Sequence, residues 1–348
     1  MSPNPGHLLD LPPLTAGAFA ATERRVAALL RTANDVVITQ GEALLPLEGA
    51  IRGAARPGST ALNVVTGPYG ETFGGWLRDA GAKVVELEVP FDRAVTAEQV
   101  GEALERDPEI GLVSLVHAEA ATGTTNPVAG IAAVVRAQGA LLMLDAVASV
   151  AAEPLLTDEW GVDLCVIGGQ KAMAGPAGVS AVAVSERAWR RFAENPAAPR
   201  RSYLSLLDWK ERWIDAGRRV LPHAPAQLEM LALDACLDRI EAEGLDAVIG
   251  RHRAAAAQTR EGALDLGLTP YVVEAADAAP VATTVRTPAG MHAGELAAAA
   301  LAVDPGLPLS PGGGALAADM LRVNHYGTAA DPAVVDRTLA TLSAALRR

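Results

Sequence analysis

The sequence predicts an α/β fold: a large unit with a mostly parallel sheet between helices, then a smaller C-terminal α+β layer. Three observations point there. Short runs dense in Val, Leu and Ile recur with helical stretches between them. These runs lack strict polar alternation, as expected of strands buried on both faces. Near residue 247 the alternation gives way to a long Arg/Ala-rich helix and fewer, shorter strands. The chain is therefore divided into residues 1–247 and 248–348.

In chain order the strands are Val36–Gln40, Leu62–Thr66, Val84–Val89, Leu112–His117, Leu141–Val147, Leu164–Ile167 and Val179–Val184. The intervening Leu44–Ala55, Gly70–Ala80, Thr96–Arg106, Val128–Gln138 and Leu155–Trp160 are helical or part-helical. Arg187–Glu194 and Gln227–Glu243 are further helices, separated by a loop that includes Pro196 and Pro199. The second unit has a helix at Arg251–Leu266, strands at Thr269–Val273 and Val281–Thr287, and a helix at Glu295–Val303. It ends with a strand at Leu321–Asn324 and a helix at Pro332–Leu346.

Composition excludes several classes. With 29 basic and 41 acidic residues the net charge is −12, the wrong sign for a nucleic-acid surface. Cys165 and Cys236 stand in unrelated contexts, so no disulfide framework or CxxC site is expected. The six histidines form no HxxxH or HxH pair, which argues against a structural zinc. The start MSPNPGHLLDLPPLTAG has neither a basic nor an apolar signal region, and the apolar run Leu296–Val303 is too short to span a bilayer. A cytoplasmic protein acting on small molecules, with no membrane partner, is expected. Of the 29 basic residues only three are lysines: Lys83, Lys171 and Lys210. Lys83 starts a strand and Lys210 sits in a charged helical stretch, so both read as solvated surface. Lys171 does not.

In α/β sheets ligands bind beyond the carboxyl ends of the strands. The residues there are Gly41-Glu42, Gly67-Pro68-Tyr69-Gly70, His117-Ala118-Glu119, Asp145-Ala146-Val147 and Gly168-Gly169-Gln170-Lys171. Lys171 has uncharged flanks; burial there would lower its pKa and suit a Schiff-base lysine, or the side chain snorkels to water. Asp145 ends an apolar strand, as a partner for a protonated pyridine nitrogen or as a helix N-cap. His117 and Glu119 precede ATGTTNP, whose Gly123 to Pro127 also read as an ordinary turn. Arg322, in the strand LRVN, requires an anion: a structural salt bridge or a substrate carboxylate. No GxGxxG follows the first strand, and the Gly312–Gly314 run lacks the Lys-Ser/Thr of a phosphate loop, which disfavours a nucleotide enzyme.

The segments HAEAATGTTNPVAGI, LMLDAVAS and VIGGQKAMAGPAGVS, in this order, resemble the class V aminotransferases of fold type I, with Asp145 and Lys171 26 residues apart. The resemblance runs from Pro5-Gly6 through LRVNHYG. Within the class, TQGEALLPLEGA, TGPYGETFGGW, SERAWRRFAENPAAPR with YLSLLDW, and TTVRTPAG are similar to the pyridoxamine–pyruvate aminotransferases. That branch takes unphosphorylated pyridoxamine and pyridoxal as substrates. The resemblance implies an amino transfer in which Lys171 forms the Schiff base and moves the proton. Asp145 would pair with the ring nitrogen, Tyr69 would stack on the ring, and Gly41, Gln170 and Thr122 would complete the ring site. Glu42 would lie where related enzymes hold the coenzyme phosphate, and Arg322 would bind the carboxylate of pyruvate or alanine. A homodimer with the site at its interface is also implied.

Glu42 and Gln170 pull in different directions. A carboxylate beside a phosphate, at ~4 Å in an effective dielectric near ~20, costs on the order of 4 kcal/mol. That favours an unphosphorylated ring, unless Glu42 only complements the start of a helix and points away. Partner-subunit donors that phosphate-binding relatives supply as Tyr and Thr are not seen at Leu221-Pro222-His223-Ala224. Gln170 resembles the ordinary members of the class, which use pyridoxal 5′-phosphate with alanine or serine and glyoxylate. Gly313 stands where the pyridoxamine branch carries a second arginine, so the 2-oxo acid stays open. A desulfurase would need a cysteine on a mobile loop, whereas Cys165 lies in a strand and Cys236 in a helix. A scaffold with a vestigial site would have no need of both Asp145 and Lys171.

Overall fold

The computed structural model describes residues 11–347. Pro5-Gly6 and His7 lie outside the described residues. The first part runs α1 (Ala16–Leu29), β1 (Asp35–Gln40), α2 (Leu44–Ala54), β2 (Thr60–Val65), α3 (Pro68–Asp79), β3 (Lys83–Glu88), α4 (Ala97–Arg106) and β4 (Ile110–Val116). It continues with a hairpin of β5 (Ala118–Glu119) and β6 (Thr124–Thr125), then α5 (Val128–Ala137), β7 (Leu141–Asp145), α6 (Thr157–Trp160), β8 (Leu164–Gly168), β9 (Val179–Val184), α7 (Glu186–Ala193), α8 (Leu206–Trp209) and α9 (Gln227–Glu243). The remainder comprises α10 (Leu245–Asp265), β10 (Thr269–Pro270), β11 (Ala282–Arg286), α11 (Ala293–Leu301), β12 (Leu309–Pro311), β13 (Met320–Asn324) and α12 (Pro332–Leu346).

The large sheet has seven strands in the order β1-β9-β8-β7-β4-β2-β3. Its pairings are parallel except at β9, which runs antiparallel to both β8 and β1. Hence β1, β2, β4, β7 and β8 point the same way, and their carboxyl ends share one edge. The central strands are buried on both faces, as their apolar runs require. Helices cover both sides and join them in one core, with Phe19, Phe73, Phe192 and Trp213 among its largest buried side chains. A second, antiparallel sheet, β10-β11-β13-β12, packs with α11 and α12 around a core of its own that includes Leu296, Leu321 and Leu342.

Local chemistry sets the helix starts. Thr96 and Gln99 form a reciprocal capping box on α4, and Asp331 caps α12 just before Pro332. Gly244, at φ +89°, turns α9 into α10, so residue 247 falls within the first turn of α10.

The structure departs from the sequence reading in several places. Helix α1 carries an alanine-rich segment that gives little periodic contrast, yet it buries Phe19, Val26 and Leu29. Strand β3 is an edge strand, half exposed, which explains the charges of Lys83, Glu86 and Glu88 along it. The strand expected to reach Val147 ends at Asp145, and the one expected at Thr269–Val273 is only two residues long. Strand β12 is too short to show in the sequence. Lys210 is not solvated surface: it pairs with Asp215 at 2.6 Å and Asp35 at 3.3 Å, with its side chain 22% exposed. Among the described residues no helix is long and apolar enough to cross a membrane, and no cluster of His, Cys, Asp and Glu could hold a metal ion.

Candidate active site

The shared strand edge gathers most of the singled-out residues. Lys171 follows β8 in a loop held by its own backbone: Ala174 N donates to Lys171 O at 2.9 Å and Gly175 N to Gly169 O at 2.7 Å. Ala174 takes the left-handed conformation, φ +49°, and Arg239 donates to the Met173 carbonyl at 2.6 Å. The backbone of Lys171 is thus pinned, while its amine has no hydrogen bond or ion pair among the described residues. Nζ lies 5.1 Å from the centre of the Tyr69 ring. Burial lowers the Lys171 pKa, against the upward pull of Asp145, Glu119 and Glu42, and Arg322 lowers it further.

Asp145 is buried at the end of β7, and its Oδ1 accepts from Val147 N at 2.9 Å. This is the turn-forming bond expected of an Asp at a strand end, but it occupies only one oxygen. Burial pushes the carboxyl up to about 6, Lys171 and the Val147 amide pull it down, and Glu42 raises it. No cation comes within ion-pair distance among the described residues.

Tyr69 sits at the start of α3, behind Gly67 and Pro68. The reason for Gly67 is Glu119. A Cβ on Gly67 would overlap the Glu119 carboxyl carbon and come within 2.7 Å of both of its oxygens. Glu119, wholly buried in β5, reaches under the start of α3, where Gly70 N donates to Oε1 at 3.4 Å. Its other oxygen is buried without a partner. Burial first and Asp145 next push Glu119 up to about 8, while the Gly70 and Tyr69 amides and Lys171 oppose this. His117, two residues earlier, faces a different neighbourhood: its ring lies edge-on to Trp160 and 3.7 Å from Glu153. Burial holds it neutral, with a pKa lowered to about 3, so that contact is no ion pair.

Glu42 and Gln170 meet. Gln170 Nε2 donates to Glu42 Oε1 at 2.6 Å, and Leu44 N donates to Glu42 Oε2 at 2.8 Å. The carboxylate therefore caps the start of α2 and also touches the residue preceding Lys171. Gly41 makes this possible. It takes φ +143°, donates to Gly178 O at 2.8 Å and accepts from Ser180 Oγ at 2.9 Å. Arg322, in β13, reaches over from the second sheet: Nη1 approaches the Ala120 carbonyl at 3.4 Å, and Nε is buried without a partner. No carboxylate pairs with it among the described residues, so the structural salt bridge weighed for it is not formed.

A model of the aminotransferase class-V family matches residues 14–314. The chain belongs to the class V aminotransferases. The pyridoxamine–pyruvate transaminase of Mesorhizobium japonicum is 35% identical over 317 residues, 91% of this chain and 80% of that protein. The crystal structure of pyridoxamine–pyruvate aminotransferase from Mesorhizobium loti superposes with a TM-score of 0.89 at 32% identity, covering 95% of this chain and 85% of that one. An alanine–glyoxylate aminotransferase from Nostoc superposes at 0.86 with 28% identity, covering 98% and 91%. This class V chain is thus a transaminase of fold type I that resembles pyridoxamine–pyruvate aminotransferase.

Seen in this aminotransferase, Lys171, Asp145, Tyr69, Glu42, Gln170 and Arg322 converge, and Gly41 supports them. Thr122 is buried in the hairpin that follows β4. Its hydroxyl meets that of Thr124 at 3.3 Å, and its carbonyl accepts from Thr284 at 2.7 Å. Glu119 stood among the strand-end candidates without an assigned role; its signal was Gly67 near Tyr69, legible only once the two strand ends are neighbours. One further residue was missed. Tyr326, four residues past Arg322, packs half-buried against the alanine cluster of Ala118, Ala120, Ala148 and Ala172. The chemistry on offer suits a vitamin B6 ring: a lysine with lowered pKa, a buried carboxylate without a cation, and an aromatic face. Class V aminotransferases in general use pyridoxal 5′-phosphate.

Proposed function

We propose that this aminotransferase moves an amino group between pyridoxamine, or an amino acid such as alanine, and a 2-oxo acid such as pyruvate, with the ring unphosphorylated. The observation that carries the reading is the Glu42 carboxylate bound to Leu44 N and Gln170 Nε2. The amide at the start of α2 is a natural phosphate donor, and here a carboxylate already occupies it. A dianion would have to displace or sit beside that charge. The similarity to pyridoxamine–pyruvate aminotransferases supports the same reading.

The bound ring would act as an electron sink for the substrate α-carbon. The protein residues would do the rest. Lys171 Nζ, with its pKa lowered by burial, is more readily neutral and so can act as nucleophile and then carry the proton to and from the α-carbon. Asp145, ionised above about pH 6, would hold a protonated ring nitrogen. Tyr69 would bound one ring face, and Glu119, bonded under α3, positions Tyr69. Arg322 would grip the substrate carboxylate with its planar fork and fix the angle of the breaking C–H bond. With Gly313 in the turn after β12, that grip rests on one guanidinium. A homodimer, as the resemblance to the class V aminotransferases implies, is part of this reading.

A second reading, the phosphate-dependent alanine– or serine–glyoxylate type, is favoured by the likeness to the Nostoc enzyme and by Gln170 before the lysine. The test is calorimetric titration of the protein with pyridoxal and with pyridoxal 5′-phosphate. Tighter binding of pyridoxal supports the first reading, and tighter binding of the phosphate ester supports the second.

A further inference from the structure

A cavity of about 500 Å³ lies away from the lysine, between α10 and the second sheet, with the large unit as its floor. One wall is a single face of α10, with Arg253, Ala256, Ala257, Arg260, Glu261 and Leu264 recurring at helical spacing. The opposite wall, residues 272–284, is mostly small, with alanines at 275, 276, 278, 279 and 282 facing Ala256 and Ala257. Small residues on both sides hold the space open where a core would ordinarily be filled. None of Lys171, Asp145, Tyr69 or Arg322 lines it.

Four ionisable side chains border it: Glu153, Arg253, Arg260 and Glu261. Glu153 lies in the floor with its side chain 12% exposed. Thr125 Oγ1 lies 3.0 Å from each of its carboxyl oxygens. Arg253 stands exposed on α10. It is near enough to draw the Glu153 pKa down, yet it makes no ion pair or hydrogen bond among the described residues. Burial outweighs it and holds Glu153 up to about 7. A buried carboxylate and a guanidinium thus border one apolar cavity without touching. Arg260 is already committed to the Val272 and Val273 carbonyls.

We propose that this cavity is a second ligand site, one that takes an α-amino acid with an apolar side chain: ammonium on Glu153, carboxylate on Arg253, side chain across the alanines. A zwitterion carries its opposite charges a few ångströms apart, which suits two groups too distant to pair with each other. An amine alone would leave Arg253 unmatched, and a carboxylic acid alone would meet Glu153 unfavourably. The site borders the substrate region through one ladder, because Thr284 of β11 lines the cavity and pairs in register with Arg322 of β13.

The experiment uses the full chain with Lys171→Ala and Arg322→Ala together, so that the strand-edge site keeps neither its amine nor its carboxylate grip. Calorimetry is run with L-leucine, L-methionine and L-phenylalanine, and with isoamylamine and 4-methylpentanoate, the two halves of leucine's polar head. At least one amino acid binds saturably, and each half-analogue of leucine binds about tenfold more weakly than leucine or not at all. Arg253→Gln, at an exposed position with no ion pair or hydrogen bond among the described residues, weakens the amino acid about tenfold. Ala256→Leu, which fills the cavity without changing a charge, abolishes binding. Overturning results are no saturable binding of the three amino acids up to about 10 mM, isoamylamine binding as well as leucine, or binding that survives both Arg253→Gln and Ala256→Leu.

Discussion

Gln170 donates its side-chain amide to the Glu42 carboxylate at 2.6 Å across 128 residues of sequence. Read singly, the two residues argue for opposite chemistries. Bonded together they form one unit beside Lys171, and the glutamine orients the charge that would repel a phosphate. Replacing Glu42 with Ser removes that charge and leaves a hydroxyl beside the start of α2. Binding of pyridoxal 5′-phosphate should then strengthen relative to pyridoxal by roughly 5- to 200-fold, as about one to three kcal/mol of the Coulomb energy survives screening. The ratio of the two ligands in both proteins, measured by calorimetry, cancels any loosening of the helix. An unmoved ratio would transfer the assignment to the phosphate-dependent reading.

Lys171→Ala should abolish amino transfer and leave the protein without visible absorbance when pyridoxal is added. The other lysines are elsewhere: Lys83 on the edge strand β3, and Lys210 held by Asp215 and Asp35. Stopped-flow spectra and turnover assays check both outcomes, and retained turnover would remove the lysine from the chemistry.

Arg322→Lys should raise KM for the carboxylate substrate far more than for the pyridine substrate. The fork that accepts two parallel hydrogen bonds becomes a point charge, a loss on the order of 2–3 kcal/mol. Initial rates with each substrate varied in turn separate the two constants, and equal effects on both would mark Arg322 as structural.

Glu119→Gln should make stability less sensitive to alkali. The folded pKa of Glu119, about 8, lies above its ordinary 4.5. Its contribution is therefore fully present below pH 4.5 and is lost as pH rises through 8. Between roughly pH 5.5 and 8.5 the parent protein should lose on the order of 3 kcal/mol more than the variant in urea unfolding. Glu153 and Glu23 also have raised pKa values, but they are present in both proteins and cancel in the difference, whereas the coupling of Asp145 to Glu119 is part of what the difference reads. Parallel curves would show that Glu119 is ionised throughout, held as an anion by the amides of α3.

The chain should sediment as a dimer at assay concentration. Val220→Glu, at a position 73% accessible in the single chain, should shift it toward monomer and lower turnover together. Sedimentation velocity at several concentrations checks the first, and a fully active monomer would contradict the interface.

The sequence by itself determined the parts of this protein that depend on local pattern. Buried parallel strands need unbroken apolar runs, so β1, β2, β4, β7, β8 and β9 stood out, and their ends pointed to Lys171, Asp145 and Tyr69. Alanine-rich α1 was less legible, because small side chains blur periodicity, and the half exposure of edge strand β3 did not show in its apolar run. Tertiary structure alone decided which polar groups meet. Whether Glu42 faces helix or site, and whether Arg322 finds a carboxylate, depends on which strand ends are neighbours and not on spacing along the chain. The answers were that Glu42 accepts from both Leu44 N and Gln170 Nε2, and that Arg322 finds no carboxylate among the described residues. The same holds for Glu119, which needs the missing side chain of Gly67 to reach under α3, and for the cavity between α10 and the second sheet. Hydrophobic pattern is written in nearest neighbours along the chain, whereas a charge takes its meaning from whatever folding brings to within a few ångströms of it.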